Sequence, residues 1–117
     1  NRVNSNLRPG LIGNFLFTVS LEGYLIIIEK NSGNIIRVTD VFKKFKKNKR
    51  KKIKPIGFIV GKKNIYLTLD NGRMLIVDIK SGITSSILKI DNDKISRPFA
   101  INKDLFVVKD NAIIKLN

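Results

Sequence analysis

The feature of this sequence that most constrains its fold is an internal repeat. Residues 16–35 (LFTVSLEGYLIIIEKNSGNI) superimpose on residues 65–84 (IYLTLDNGRMLIVDIKSGIT) with a constant offset of 49. A third, shorter copy, LFVVKDNAIIKLN at 105–117, falls on the second at an offset of 40 and carries Ala112 where the second has Gly72. Self-similarity at such a period is typical of repeat architectures, in which each copy is one supersecondary unit.

Each copy is predicted to form short antiparallel β strands joined by tight turns. An apolar, β-branched or aromatic run of about five residues is followed by a turn signal and a second run, which is the pattern of a β-hairpin. Glycines supply the positive φ that such turns require, and the repeat turn residues are Gly23, Gly33, Gly72 and Gly82. A third strand follows each of the first two hairpins, and a further strand precedes each of the three hairpins, at 11–15, 56–60 and 99–101.

Four strands per copy predict a stacked architecture, because a single small sheet cannot bury both of its faces. Face-to-face stacking of such units gives a β-propeller. We therefore expect an all-β fold, a partial β-propeller of about two and a half four-stranded antiparallel blades. The whole chain, residues 1–117, is then a single propeller fragment that divides into a blade at 8–42, a basic insertion at 43–54, a blade at 55–92 and a partial blade at 96–117.

The repeat resembles that of the PQQ-like, quinoprotein-type propellers. The matching residues are Glu22-Gly23 with Glu29 and Ser32-Gly33, and Asn71-Gly72 with Asp78 and Ser81-Gly82. Within that superfamily the chain is most similar to the C-terminal blades of the BamB family, the outer-membrane assembly lipoproteins of bacteria. The tryptophan that family repeats often carry after the second turn is missing, as is the Trp-Asp signature of WD40 propellers, since the chain has no tryptophan.

The resemblance implies a non-catalytic protein-interaction scaffold. It would be a periplasmic component, peripheral to the outer membrane, of the machinery that assembles β-barrel proteins, with an assembly component or client as its protein partner and no cofactor. Family propellers have roughly six to eight blades, so we expect this chain to be part of a longer one and the isolated piece to self-associate through its open faces. Two alternatives stay open: a fragment of a PQQ-dependent quinoprotein dehydrogenase, and a basic nucleic-acid-binding protein.

Composition narrows the chemistry that the chain can perform. It contains no cysteine and no histidine, which leaves carboxylates, lysines and hydroxyls, and we predict no catalytic, cofactor-binding or metal site. The acids Glu22, Glu29, Asp70 and Asp78 recur next to turns, where carboxylates hydrogen-bond turn amides. The stretch 91–93 (Asp-Asn-Asp) lacks the glycine and distal glutamate of a calcium loop and is interpreted as a plain turn.

A basic run interrupts the repeat. The formal net charge is +14, and all but +5 of it comes from nine cations within KKFKKNKRKKIK at 43–54. These cations form the candidate interaction loop: Lys43, Lys44, Lys46, Lys47, Lys49, Arg50, Lys51, Lys52 and Lys54. The run accounts for the longer offset between the first two copies, so it is an insertion between blades.

Three interpretations of the run remain open. It is a solvated loop, a docking surface for an acidic protein face or anionic lipid head groups, or a nucleic-acid contact. The last is disfavoured because the cations are not interleaved with stacking aromatics on strands. We also predict a two-turn helix over residues 40–48, with Thr39-Asp40 as its N-cap and with Phe42 and Phe45 pinning the insertion to the blade while the lysines face water.

Overall fold

A computed structural model describes residues 9–92 and 94–116. Arg8, Asp93 and Asn117, which belong to predicted elements, lie outside the described residues. The described chain folds into three antiparallel sheets of four, four and three strands, with one single-turn helix. The prediction of an all-β chain with partial propeller blades is confirmed.

The strands of each sheet follow one another in chain order. The first sheet contains β1 (Gly10–Ile12), β2 (Phe15–Val19), β3 (Tyr24–Glu29) and β4 (Ile35–Asp40). After the helix α1 (Lys47–Arg50), the second contains β5 (Pro55–Val60), β6 (Asn64–Leu69), β7 (Arg73–Asp78) and β8 (Thr84–Lys89). The third contains β9 (Phe99–Ile101), β10 (Asp104–Lys109) and β11 (Ala112–Lys115).

The repeat glycines adopt the backbone conformation that the turns require. Their φ angles are +94° at Gly23, +74° at Gly33, +78° at Gly72 and +75° at Gly82. The predicted single strand over 11–15 is wrong, because Gly13 takes φ +58° in a two-residue turn that pairs Ile12 with Phe15. The run therefore forms the end of β1 and the start of β2.

The third hairpin replaces the glycine with a different turn. Lys109 pairs with Ala112, so the turn has two residues, Asp110 and Asn111, at φ +49° and +65°. Positive φ at both central positions is the type I′ pattern, which Asn and Asp tolerate. Ala112 is therefore the first residue of β11 and not the counterpart of a turn glycine. The pairing register of this hairpin is one residue tighter than in the second copy, since Val108 pairs with Ile113 whereas its counterpart Thr68 pairs with Met74.

The main core lies between the first and second sheets. Residues that alternate along each strand share a face, and the first sheet turns Phe17, Val19, Leu25 and Ile27 into this core. The second sheet contributes Phe58, Ile65, Leu67, Leu69, Leu75 and Val77, and the connection between the sheets adds Val41, Phe42 and Ile53. Burial of each large aliphatic or aromatic side chain contributes about 1.5–3 kcal/mol, so this interface is a major source of the stability of the described chain.

The second sheet is covered on both faces, which makes the stacking propeller-like. By the repeat offset, the counterparts of Phe17 and Leu25 are Tyr66 and Met74, which lie on the opposite face of the second sheet from Leu67. That face is turned toward the third sheet, where Leu105 and Val107 are buried. The second sheet thus presents one face to the first sheet and the opposite face to the third.

The outer faces of the first and third sheets carry exposed apolar side chains. They are Leu11, Ile35 and Val38 on the first sheet and Ile101, Val108 and Ile113 on the third. Self-association of the isolated chain through these faces stays a prediction.

Gly23 lies against the ring of Phe42, the residue that immediately precedes the insertion. A Cβ there would lie 2.3 Å from the Phe42 ring, whereas a Cβ at Gly33 would meet nothing within 4 Å. Both glycines have positive φ, so Gly33→Ala should cost about 1–2 kcal/mol in backbone strain alone. Gly23→Ala should lower the free energy of unfolding by roughly 1–3 kcal/mol more than Gly33→Ala does, because Phe42 must move. Urea unfolding of the two variants measures the difference, and equal losses would contradict this packing.

Candidate functional site: the basic segment between the first two blades

The basic segment, residues 43–54, crosses from the outer strand of the first sheet to the inner strand of the second. Its path is fixed by backbone hydrogen bonds at one end of the sheets. The amide of Val41 donates to the Gly23 carbonyl over 2.9 Å. At the far end, the amide of Lys54 donates to the Asp70 carboxylate over 3.0 Å, and the Asp70 amide donates to the Lys54 carbonyl over 2.9 Å. The segment therefore lies against the β2–β3 and β6–β7 turns.

The predicted helix over 40–48 is wrong, although the predicted pinning is confirmed. Asp40 is the last residue of β4, and its carboxylate accepts the Phe42 amide over 3.1 Å, so the chain turns instead of starting a helix. Helical structure is limited to Lys47–Arg50, without a side-chain N-cap. Phe42 is fully buried, and Phe45 contacts it edge to face with ring centroids 5.6 Å apart.

Arg50 differs from the other cations of the segment because it is an internal anchor. Its guanidinium makes a bidentate pair with Asp40 over 2.6 and 2.7 Å, with about a quarter of each side chain exposed (24% and 29%). It lies 5.5 Å from the Tyr24 ring centroid and 5.9 Å from that of Phe42. The hydrogen bond to Asp40 raises the pKa of Arg50 above its ordinary value. Sequence reasoning grouped Arg50 with the lysines because its partner lies ten residues away.

The other eight cations are exposed lysines. They are Lys43, Lys44, Lys46, Lys47, Lys49, Lys51, Lys52 and Lys54. Within the described residues no ion pair involves any of them, while the buried Phe42 and Ile53 hold the base of the segment in the core. The lysines therefore form a dense positive surface on a connection that is held in place by its buried ends.

The next inter-blade connection provides an internal comparison. It runs over residues 90–98, nine residues against fourteen for residues 41–54, and it contains only Lys94 and Arg97 as cations. Its first amide, that of Ile90, donates to the Gly72 carbonyl over 2.8 Å, as Val41 does to Gly23. Ile95 is buried like Ile53, shortly before the next inner strand. Crossing between blades therefore does not require the eight lysines.

Four carboxylates were predicted to hydrogen-bond turn amides, and the structure shows this role at Glu29 and Asp78. The Glu29 carboxylate accepts hydrogen bonds from the amides of Asn31 and Ser32 over 3.1 and 3.0 Å. The pKa of Glu29 is lowered, first by a hydrogen bond from the Ser32 side chain and then by these two amides. Asp78 accepts the Lys80 amide over 3.1 Å. Asp70 instead ties down the basic segment, as described above.

Over residues 9–92 and 94–116, no group of three or more His, Cys, Asp or Glu side chains is placed to hold a metal ion. In the same residues no helix has the length and apolar character needed to cross a bilayer.

Comparison with solved structures confirms the propeller fold. BamB from Moraxella catarrhalis superimposes with a TM-score of 0.68 at 13% identity over 97% of this chain and 32% of BamB. The WD40 β-propeller domain of Doa1 gives 0.66 at 12% identity, over 92% of this chain and 34% of that one. The quinohemoprotein alcohol dehydrogenase ADHIIG from Pseudomonas putida HK5 gives a TM-score of 0.65 at 15% identity, over 92% of this chain and 17% of the dehydrogenase.

At these identities the similarity shows the fold alone. No protein-family model matches the sequence, and no curated protein matches it either. The chain spans about a third of BamB and of the Doa1 domain, and less of the dehydrogenase. The resemblance to PQQ-like and BamB-like propellers is therefore confirmed as a resemblance of blades.

The Arg50–Asp40 pair should stabilise the fold measurably. Because both side chains are about a quarter exposed, we expect a coupling of about 0.5–1 kcal/mol from a double-mutant cycle with Arg50→Gln and Asp40→Asn. The matched control Lys51→Gln, at an exposed position, should change the free energy of unfolding by less than about 0.5 kcal/mol. A coupling near zero in urea unfolding would remove Arg50 from its role as an anchor.

Proposed function

We propose that this chain is part of a non-catalytic interaction scaffold, a BamB-like component of outer-membrane β-barrel assembly located in the periplasm. In this proposal residues 8–42, 55–92 and 96–117 belong to three successive blades, and the basic segment is an insertion that contacts an acidic face of a protein partner. The observation that carries the proposal is the set of eight exposed lysines on a segment whose base is buried in the core.

The placement of the lysines supports a docking role. Like charges held close together repel one another, and an anionic partner relieves that repulsion while steering the encounter. The connection over residues 90–98 crosses between blades with two cations only, so the crossing itself does not explain the charge. The lysine ammonium is a compact, hydrated point charge on a flexible stem, which suits a broad acidic surface better than one bidentate site.

The roles of the acidic residues support a scaffold rather than an enzyme. Glu29 and Asp78 hold turn amides, and Asp40 and Asp70 hold the two ends of the basic segment. These carboxylates are engaged in the structure of the turns, and the sequence has no histidine or cysteine to complete a catalytic group. We therefore propose that the chain has no enzymatic activity of its own.

The proposal predicts that the position of the lysines, and not only their charge, determines binding. One variant carries Lys→Gln at the eight exposed lysines of the basic segment. Its matched control carries Lys→Gln at eight exposed lysines elsewhere: Lys30, Lys62, Lys63, Lys80, Lys89, Lys94, Lys103 and Lys115. Both variants lower the formal net charge from +14 to +6. We expect both to unfold cooperatively, because the exchanged side chains are exposed.

The measurement is crosslinking and affinity toward β-barrel assembly proteins in a bacterial outer-membrane extract at physiological salt. Binding should fall by about tenfold or more for the segment variant and much less for the control. If both variants lost the same affinity, net charge alone would explain the effect. If the segment variant bound as tightly as the parent chain, the basic segment would not be part of the interface. Tighter binding of the parent chain to phosphatidylglycerol vesicles or to duplex DNA than to these proteins would contradict an acidic protein partner. Loss of cooperative unfolding in the segment variant alone would show a structural role instead.

A further inference from the structure

The basic segment carries a partly exposed aromatic ring in addition to its lysines. Phe45 lies between Lys44 and Lys46 in sequence, and it is neither buried like Phe42 nor fully exposed like the lysines. It packs against the main core, and its ring meets the Phe42 ring edge to face with the centroids 5.6 Å apart. The part of the Phe45 ring that remains exposed is therefore held in a fixed orientation.

Part of the surface next to Phe45 carries no net charge. The Arg50 guanidinium is paired with the Asp40 carboxylate, so this pair is neutral as a whole. The same guanidinium lies over the ring of Tyr24, which is 39% exposed, and near the ring of Phe42. Two partly exposed rings and a neutral ion pair therefore lie on or beside the segment that carries the eight exposed lysines.

The charge of the lysines is a weak basis for specific binding without an apolar contact. Ion pairs between exposed side chains contribute little to affinity, and salt screens them. Protein interfaces instead take most of their binding energy from a few well-packed side chains, often aromatic, which a polar rim surrounds. Phe45 and the lysines around it have this composition. Because Phe42 already holds the ring, a partner that covers Phe45 has little side-chain freedom left to order.

We propose that Phe45 determines the specificity of the basic segment, and that the segment binds an acidic stretch of its partner that is interrupted by a large apolar residue. The apolar side chain packs on the exposed part of the Phe45 ring, and the carboxylates on either side of it meet the lysines. This inference rests on the proposed function, which gives the segment an acidic protein partner, and it adds which acidic sequences the segment selects.

Two other occupants fit this surface less well. A second copy of the chain would bring like charges together, since the sequence has 23 lysines and arginines against nine acids. Single-stranded nucleic acid stacks successive bases on a row of open rings. The second ring at this surface, that of Tyr24, already has the Arg50 guanidinium 5.5 Å from its centroid. A single apolar residue between acids needs only the contact that Phe45 offers.

Two labelled peptides test the proposal on the whole chain. The probe is Glu-Glu-Glu-Glu-Phe-Glu-Glu-Glu-Glu, and the control peptide has serine in place of the phenylalanine. Fluorescence anisotropy at physiological salt should show saturable binding of the probe, about tenfold tighter than of the control. Both affinities should fall as the salt concentration rises, while their ratio persists, because salt screens the charges and not the apolar contact.

The two peptides also separate this proposal from the proposed function. Saturable binding of both with equal affinity would overturn the role of Phe45 and leave an acidic protein partner in place. If neither peptide bound, the proposal would be overturned and the acidic partner would be contradicted as well.

Two matched variants of the chain locate the apolar contact. Phe45→Ala removes the ring from the basic segment, and Phe15→Ala removes a ring that is 43% exposed on the first sheet. Phe45→Ala should reduce the preference for the probe over the control peptide from about tenfold to about twofold or less, and Phe15→Ala should leave it unchanged. An equal loss of affinity for both peptides in Phe45→Ala would show that Phe45 only pins the segment, and would overturn the proposal.

NMR of the parent chain with the probe provides a test that needs no variant, should Phe45→Ala fail to fold. Nuclear Overhauser contacts are expected between the phenylalanine ring of the probe and the ring of Phe45. Their absence in the saturated complex would overturn the proposal. Tighter binding of an oligothymidylate of the same charge than of the probe would make nucleic acid the preferred ligand and would also overturn it.

Discussion

The apolar interface between the first and second sheets is the interaction on which the rest of this structure depends. A four-stranded antiparallel sheet with apolar residues on both faces is not stable alone in water, since burial of apolar area is the main favourable term of folding. Phe17 and Leu25 of one blade therefore pack against Leu67 and Leu75 of the next. This stacking also brings the ends of the sheets close enough for Phe42 to fill the space over Gly23.

The basic segment has two physically distinct parts because of that interface. Phe42 and Ile53 are buried in the same core as the blades, and Arg50 neutralises Asp40 beside them. These anchors remove much of the conformational freedom that a connection of this length would otherwise have. The lysines remain in water, and the repulsion among them is tolerated because their ammonium groups are hydrated and screened. A charged surface on a fixed base can bind with a smaller ordering cost than a disordered tail.

The elements that sequence reasoning predicted correctly are those whose signal is local or repeated. Turn glycines such as Gly23 and Gly72 were found because the left-handed conformation strongly favours that residue. The face-to-face stacking followed from the repeat. The burial of Phe42 was expected because Val41, Phe42 and Phe45 are apolar residues at the start of the charged run.

The errors arise where distant contacts or turn geometry decide the structure. No local pattern shows that Arg50 pairs with Asp40, and this pair, together with the bond from the Phe42 amide, replaces the expected helix N-cap. The strand break at Gly13 and the two-residue turn at Asp110-Asn111 depend on backbone angles that composition does not specify.

Native-state hydrogen exchange of the backbone amides tests the stacking of three blades most directly. Strands β6 and β7 are the two central strands of a sheet that is covered on both faces, while β2 and β3 are the two central strands of a sheet with one open face. If opening of the structure follows burial, the amides of β6 and β7 should exchange most slowly, those of β2 and β3 faster, and those of β1 and β11 fastest among the strands. Protection of β2 and β3 equal to or greater than that of β6 and β7 would contradict a second sheet held between the other two.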